Sequence, residues 1–192
     1  MVATVNGGAR TDLITYTDIL WQMALQPNTP LSNPRSDDLN RALQLIIDQR
    51  LISQEAEKLP TIQPSAAEVK TARDDLVKQF TSEAEFRQRA ASVGLSSEQI
   101  DEIIRQRVSI EKYLDFRFRS FTVVTPKEVE DYYRDVYIPR LRRQQPGRII
   151  PTLEEARPAI EKNLTESKIE SDTDAFLDSA RERAEIIILN PV

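Results

Sequence analysis

Apolar residues recur at every third or fourth position along most of the chain, which is the spacing of one face of an α-helix. The pattern is clearest after Ser36, where leucines and isoleucines form a stripe that leads to a predicted helix end near Leu59-Pro60. The same spacing predicts further helices over residues 69–80, 83–93, 100–118, 129–136 and 153–183. We therefore expect a mainly α-helical protein.

Pairs of capping residues mark the starts of these helices. A Ser or Thr followed three residues later by Glu or Gln is typical of a helix start, because both side chains satisfy backbone N–H groups that the helix leaves unpaired. Five such pairs precede apolar stripes: Ser65 with Glu68, Ser82 with Glu85, Ser96 with Gln99, Thr125 with Glu128, and Thr152 with Glu155. Gly94 then favours a helix end, since glycine readily adopts the left-handed conformation found there.

Two prolines predict interruptions of the helical pattern. Pro139 is expected to lie beyond the end of one helix, with residues 140–148 forming a solvated loop. Pro158 falls in the second turn of the last helix, where its missing N–H and its ring predict a kink or a late start.

The two ends of the chain have a different pattern. Val2 to Val5 is a β-branched run before the turn signal Asn6-Gly7-Gly8, residues 12–15 favour a second short strand, and Thr17 is a candidate cap for a helix reaching Leu25. Residues 185–189, Glu-Ile-Ile-Ile-Leu, form the clearest strand in the chain. A lone short strand is not stable, so we expect a small β-sheet formed by the N- and C-terminal strands. Pairing between two chains would instead give a strand-swapped homodimer.

Composition excludes several classes of chemistry. The chain of 192 residues contains no His and no Cys, which removes histidine-dependent triads, thiol nucleophiles, disulfides and the usual zinc ligands. No glycine-rich phosphate loop is present, and the acidic runs around residues 128–131 and 172–178 fit solvated helix faces better than metal sites. We expect neither enzymatic activity nor a bound metal or cofactor.

Charge and hydropathy give weaker indications of location and partners. No stretch approaches the roughly 18 to 20 apolar residues of a membrane span, and residues 1–10 do not have the pattern of a signal peptide. A cytosolic protein and the mature form of an exported one both fit this start. The net charge of −5 disfavours a dedicated nucleic-acid binder.

Aromatic residues and arginines are concentrated in one region. Seven of the 12 aromatic residues are Tyr113, Phe116, Phe118, Phe121, Tyr132, Tyr133 and Tyr137, and many of the arginines lie between Arg105 and Arg148. Arginine beside aromatic residues suits a peptide-binding or protein-binding surface, and it also suits stacking on nucleic acid. The alternative is that Phe116, Phe121 and Tyr133 form a core seam where helices meet.

The order of motifs resembles the SurA family of periplasmic chaperones. The resemblance rests on Val5-Asn6-Gly7, on the helix from Leu45 to Ala56 (LIIDQRLISQEA), and on Val124 to Tyr133 (VTPKEVEDYY), before a long helix and a final strand. It covers nearly the whole chain. It implies one chaperone module over 1–192, with an N-terminal segment (2–137), a linker (138–151) where the family carries parvulin prolyl-isomerase domains, and a C-terminal helix and strand (152–192).

The resemblance implies binding of unfolded or extended polypeptides without ATP, with outer-membrane protein precursors as possible clients and an exported, periplasmic location. From the net charge we expect no nucleic-acid partner, and from the lack of a span-length apolar stretch we expect no stable membrane insertion. The candidate groove residues are Trp21, Met23, Tyr113, Phe116, Phe118 and Tyr137. The competing hypotheses are a nucleic-acid or anionic-ligand binder that uses the arginines of residues 105–148, and a helical scaffold that assembles with a partner.

We predict that the protein does not catalyse prolyl isomerisation, because it has no histidine and only residues 138–151 lie where the family carries parvulin domains. A proline-peptide assay should give the uncatalysed rate at every protein concentration. A rate that rises with the concentration of protein freed from host isomerases would contradict this prediction.

Overall fold

The computed structural model describes residues 1–59, 62–147 and 149–192. Pro60, at the predicted helix end, Thr61, and Arg148, in the predicted loop, lie outside the described residues. The helices are α1 (Tyr16–Ala24), α2 (Ser36–Ala56), α3 (Ala66–Val77), α4 (Glu83–Ser92), α5 (Ser97–Arg117), α6 (Pro126–Tyr132), α7 (Ile138–Gln144) and α8 (Leu153–Arg183). A 3₁₀ turn (Arg119–Phe121) follows α5, and a π-helical turn (Tyr133–Tyr137) connects α6 to α7.

Three short strands form one antiparallel sheet. β1 (Ala3–Asn6) lies in the centre, between β2 (Thr11–Ile14) and β3 (Glu185–Ile188). In the register, Thr4 is opposite Leu13 on one side and Ile187 on the other. The prediction of a mainly α-helical protein with a small sheet made from both ends of the chain is therefore confirmed, and the ends pair within one chain.

The chain divides into two compact units. Unit 1 contains residues 1–113 and 177–192, and unit 2 contains residues 114–176. The expectation that the whole chain acts as one chaperone module stays a prediction.

The core of unit 1 has two parts. In the first, the sheet packs on α1 and α2, with Val5, Ile14, Ile19 and Met23 fully buried. The second joins α3, α4 and α5, where Phe80 and Phe86 meet edge to face at a centroid distance of 5.2 Å. The apolar stripes recognised along the chain are the faces buried in these clusters.

The predicted capping residues occupy the starts of their helices. Ser65, Ser82, Ser96, Thr125 and Thr152 each accept a hydrogen bond from the backbone N–H three residues later. The prediction for the first helix was wrong by two residues, because its cap is Thr15 and not Thr17. Asp18 replaces the expected Glu or Gln and accepts a hydrogen bond from Thr15 N at 2.7 Å.

Pro139 lies inside α7 and does not follow the end of a helix. The chain stays helical up to Gln144, so the prediction of a loop from residue 140 onwards was wrong for these residues. A proline in a helix lacks a donor and crowds the preceding turn. The wider π-helical turn directly before Pro139 gives the ring room without ending the helix. α8 begins at Leu153 with Pro158 inside it, so of the kink or late start predicted from Pro158 the late start is excluded, and the kink stays a prediction.

Gln54 on α2 holds the N-terminal hairpin in place. Its side chain, 2% exposed, accepts from Gly7 N at 2.9 Å and donates to Val5 O at 3.3 Å and Asp12 Oδ2 at 2.8 Å. A Cβ atom at Gly7 would lie 2.8 Å from Gln54 Oε1, so only glycine permits this approach without a shift. The turn between β1 and β2 is therefore positioned by a residue of the LIIDQRLISQEA helix.

We predict that Gln54→Ala lowers the free energy of unfolding by about 2 kcal/mol, because Gly7 N–H and Val5 C=O lose a buried partner. Urea unfolding measures the change. Gln44→Ala, at an exposed position of the same helix, is the matched control and should change stability by less than about 0.5 kcal/mol. Equal effects of the two substitutions would contradict the role assigned to Gln54.

Candidate functional site

The six predicted groove residues divide equally between the two units, and two of them are not available to a ligand. Met23 is fully buried in the core of unit 1, and Tyr113 is 4% exposed. The prediction that they face a groove is therefore wrong, because helix packing has already covered both side chains. Trp21 is half-buried, and its Nε1–H donates to Val93 O at 3.1 Å.

Tyr137 is a packing residue of unit 2. Its ring stacks on Tyr133 with a centroid distance of 5.8 Å and an interplanar angle of 21°. Both rings lie against the small buried cluster of Val129, Ala156 and Ile160. Tyr133 also donates from its hydroxyl to Pro151 O at 2.7 Å. Tyr137 therefore contributes to the fold of this unit and presents only part of its surface.

The exposed apolar side chains of unit 2 are concentrated in one segment. Phe116, Phe121 and Val123 are 53%, 75% and 71% exposed, and they lie at the end of α5, in the 3₁₀ turn and in the extended stretch after it. We call residues 116–123 the aromatic segment. The alternative that Phe116 and Phe121 form a core seam is wrong. Val123 was missed in the sequence, although an apolar residue in an extended run before Thr125-Pro126 has no helical face on which to be buried.

Phe118 anchors the aromatic segment through a ring and an arginine. It meets Phe176 edge to face at a centroid distance of 6.0 Å. The Arg117 guanidinium lies over both rings, 5.6 Å from the Phe118 centroid and 5.1 Å from that of Phe176. This arrangement holds the ring of Phe118 in place, whereas the neighbouring Phe116 and Phe121 are exposed.

Lys168 on α8 fixes the other end of the aromatic segment. Its Nζ donates to Val123 O at 2.8 Å and lies 2.7 Å from Glu128 Oε1. Glu128 also accepts from the backbone N–H of Thr125 at 2.8 Å. Lys168, followed by the backbone and side chain of Thr125, lowers the pKa of Glu128 to about 2. The segment is therefore held between an aromatic contact and a charged capping contact.

Three arginines of the same region pair with neighbouring carboxylates. Arg105 pairs with Glu102, Arg119 with Asp115, and Arg134 with both Asp131 and Asp135. The exposed arginines of α7, Arg140, Arg142 and Arg143, form no ion pair with the described residues and stay available to an anionic or acidic partner.

Unit 1 contains a separate candidate, a cavity of about 170 Å³ between α1, α2 and α5. Its walls include Trp21, three isoleucines and the arginines Arg50 and Arg107. Arg107 belongs to the arginine-rich region 105–148 recognised in the sequence, whereas Arg50 was missed there. A signal was present, because Arg50 follows Ile46 by four residues and Arg107 follows Ile103 by four, which places each charge on an otherwise apolar helix face.

Within the described ranges 1–59, 62–147 and 149–192, no three or more acidic side chains are grouped so that they would hold a metal ion. No helix in this part of the chain is both long and apolar enough to span a membrane. No protein-family model and no curated protein sequence matches the chain.

We predict that Glu128→Gln destabilises the protein most near neutral pH. The pKa of Glu128 is lowered from 4.5 to about 2, so its stabilising contribution is complete above pH 4.5 and is lost as the pH falls towards 2. Urea unfolding of wild type and variant, repeated from neutral pH down to about pH 3, should show the difference shrinking with acidification.

Glu130→Gln is the control for this experiment, since Glu130 is an exposed carboxylate on the same helix. The difference in the free energy of unfolding between Glu130→Gln and the wild type should be small at every pH of the series. A Glu128→Gln difference that stays constant over the whole pH series would show that the carboxylate charge is not what holds this end of the segment.

Proposed function

We propose that the protein binds unfolded or extended polypeptides without ATP, as a chaperone does. The observation that carries the proposal is the aromatic segment, where three large apolar side chains are more than half exposed within eight residues of chain. Soluble proteins seldom expose neighbouring large apolar side chains unless these contact a partner. An extended polypeptide with apolar side chains has the chemistry to cover them.

The mode of contact follows from the composition of the segment. Aromatic and β-branched side chains bury apolar surface of many different sequences, and Phe carries little conformational entropy to lose. Arginines near the segment can accept aromatic or acidic client side chains at its edge. Such a surface gives weak and broad binding, because it offers area without a deep pocket.

The resemblance of the sequence to the SurA family supports the same proposal. Outer-membrane protein precursors as clients and an exported location follow from that resemblance alone. A nucleic-acid partner fits less well, because Arg105, Arg119 and Arg134 are paired with carboxylates and the net charge is −5. Assembly with a folded partner would also cover the exposed phenylalanines, and in that case the protein would leave client aggregation unchanged.

We predict that the wild-type protein suppresses aggregation of a urea-unfolded client diluted into buffer, followed by light scattering. The double substitution Phe121→Ser with Val123→Ser should weaken client binding by about tenfold, the effect of losing one or two exposed apolar contacts. Binding by the wild type should change little with added salt, since apolar contacts release no counterions.

Leu13→Thr is the matched control, because Leu13 is an exposed apolar residue that belongs to unit 1 and not to the aromatic segment. It should bind the client like the wild type, and circular dichroism should show the same helix content for all three proteins. Equal client aggregation with and without wild-type protein would overturn the proposed function. Unchanged binding by the double variant would overturn the assignment of the segment.

A further inference from the structure

Two arginines in the cavity of unit 1 have unmatched hydrogen-bond donors. Arg50 Nη1 donates to Gln106 Oε1 at 3.2 Å, and Arg107 Nη2 donates to Gln22 Oε1 at 2.8 Å. The Nε–H of each arginine is enclosed, and no described residue accepts from it. Each guanidinium, with its five N–H donors, is therefore held by one neutral amide.

Neither arginine forms an ion pair with a carboxylate of the described residues. The acidic side chains that line the same cavity are engaged elsewhere. Asp18 Oδ2 accepts from Thr15 N and Oγ1, both at 2.7 Å, as the cap of α1. Glu102 Oε2 lies 2.5 Å from Arg105 Nη1, and its Oε1 accepts from Gln106 Nε2 at 3.2 Å. Neither guanidinium is therefore paired directly with an acidic side chain of the cavity walls.

Burial makes this arrangement costly for Arg107 in particular. Desolvation lowers the pKa of Arg107 below its ordinary value, and the charge of Glu111 opposes that shift. Burying a cation without a counter-ion is unfavourable. A ligand that supplies the counter-ion therefore gains binding free energy. An anion that reaches both guanidinium groups would supply the missing partner.

The remaining walls restrict the kind of anion. Trp21, Ile46, Ile103 and Ile110 give the cavity an apolar surface. Its volume of about 170 Å³ is close to that of cavities of roughly 150 Å³ that hold a benzene ring. Asp18 and Glu102 in the walls would repel a second negative charge. A singly charged group with two oxygens matches the planar guanidinium fork.

We propose that this cavity binds a carboxylate attached to a small apolar group. Arg50 and Arg107 would bind the carboxylate oxygens, while the isoleucines and Trp21 pack against the apolar part. A free organic acid and the terminal residue of a polypeptide share this chemistry. The inference does not depend on the proposed polypeptide binding, which uses the aromatic segment of unit 2.

Nuclear magnetic resonance titrations of the wild-type protein test the proposal directly, with the arginine Nε–H signals as reporters of the two guanidinium groups. Benzoate should shift the Arg50 and Arg107 signals in a saturable manner. Benzamide, which has the same shape without the charge, should bind at least about tenfold more weakly, because it lacks the charge-assisted hydrogen bonds. Inorganic phosphate should also bind more weakly than benzoate.

A charge-removing variant gives a second test. Arg50→Gln should weaken benzoate binding by about tenfold, the effect of losing one charge-assisted contact. Arg87→Gln is the matched control, since Arg87 is exposed and paired with Glu83 on α4, and it should bind benzoate like the wild type. If Arg50→Gln does not fold, the titrations of the wild-type protein with benzoate, benzamide and phosphate still test the proposal. Failure of benzoate to bind, equal binding of benzamide, or tighter binding of phosphate would overturn the proposal.

Short peptides that end in leucine distinguish the two sources of the carboxylate. A peptide with a free terminal carboxylate that shifts the same arginine signals, while its amidated form does not, would identify polypeptide ends as ligands. Benzoate binding without binding of either peptide would identify free organic acids. Equal binding of the free and amidated peptides at these arginines would contradict recognition of a carboxylate.

Discussion

Strand β1 needs a hydrogen-bonded neighbour on each edge, and the organisation of unit 1 depends on where those neighbours come from. β2 follows directly in the chain, whereas β3 is supplied by residues 185–188. The last turns of α8 must therefore return to α2, where Arg181 meets Asp48 with Nη2–Oδ distances of 2.7 Å. Burial raises the pKa of Asp48 although Arg181 faces it, so this pair fixes the position of α8 more than it stabilises the fold.

Unit 2 is stabilised in a different manner. Its buried residues are the small cluster of Val129, Ala156 and Ile160, surrounded by half-buried tyrosines and leucines. Charged and capping contacts, such as that of Lys168 on α8 with Glu128 on α6, also hold its helices together. A unit with few buried contacts opens more readily than a large core. Exposed phenylalanines are compatible with such a unit, because they do not have to be held in a rigid pocket to contact an extended chain.

Short-range features of this protein were predictable from the sequence. Capping depends on residues three positions apart, so Ser65, Thr125 and Thr152 identified their helices without knowledge of the fold. The pairing of the two chain ends was predictable for a related reason, since isolated strands must satisfy their backbone groups somewhere. The errors at Thr17 and Pro139 were also local: Asp18 replaced an expected glutamate, and a π-helical turn accommodated the proline.

Which side chains are exposed was decided only by the tertiary structure. Met23 and Tyr113 are buried while Phe116 and Phe121 are exposed, although all four are large apolar or aromatic residues. Periodicity shows that a helix has an apolar face, but it does not show whether another element covers that face. The same holds for Arg50 and Arg107, whose identities were plain in the sequence. Their shared cavity exists only because α2 and α5 bring together residues that are 57 positions apart in the chain.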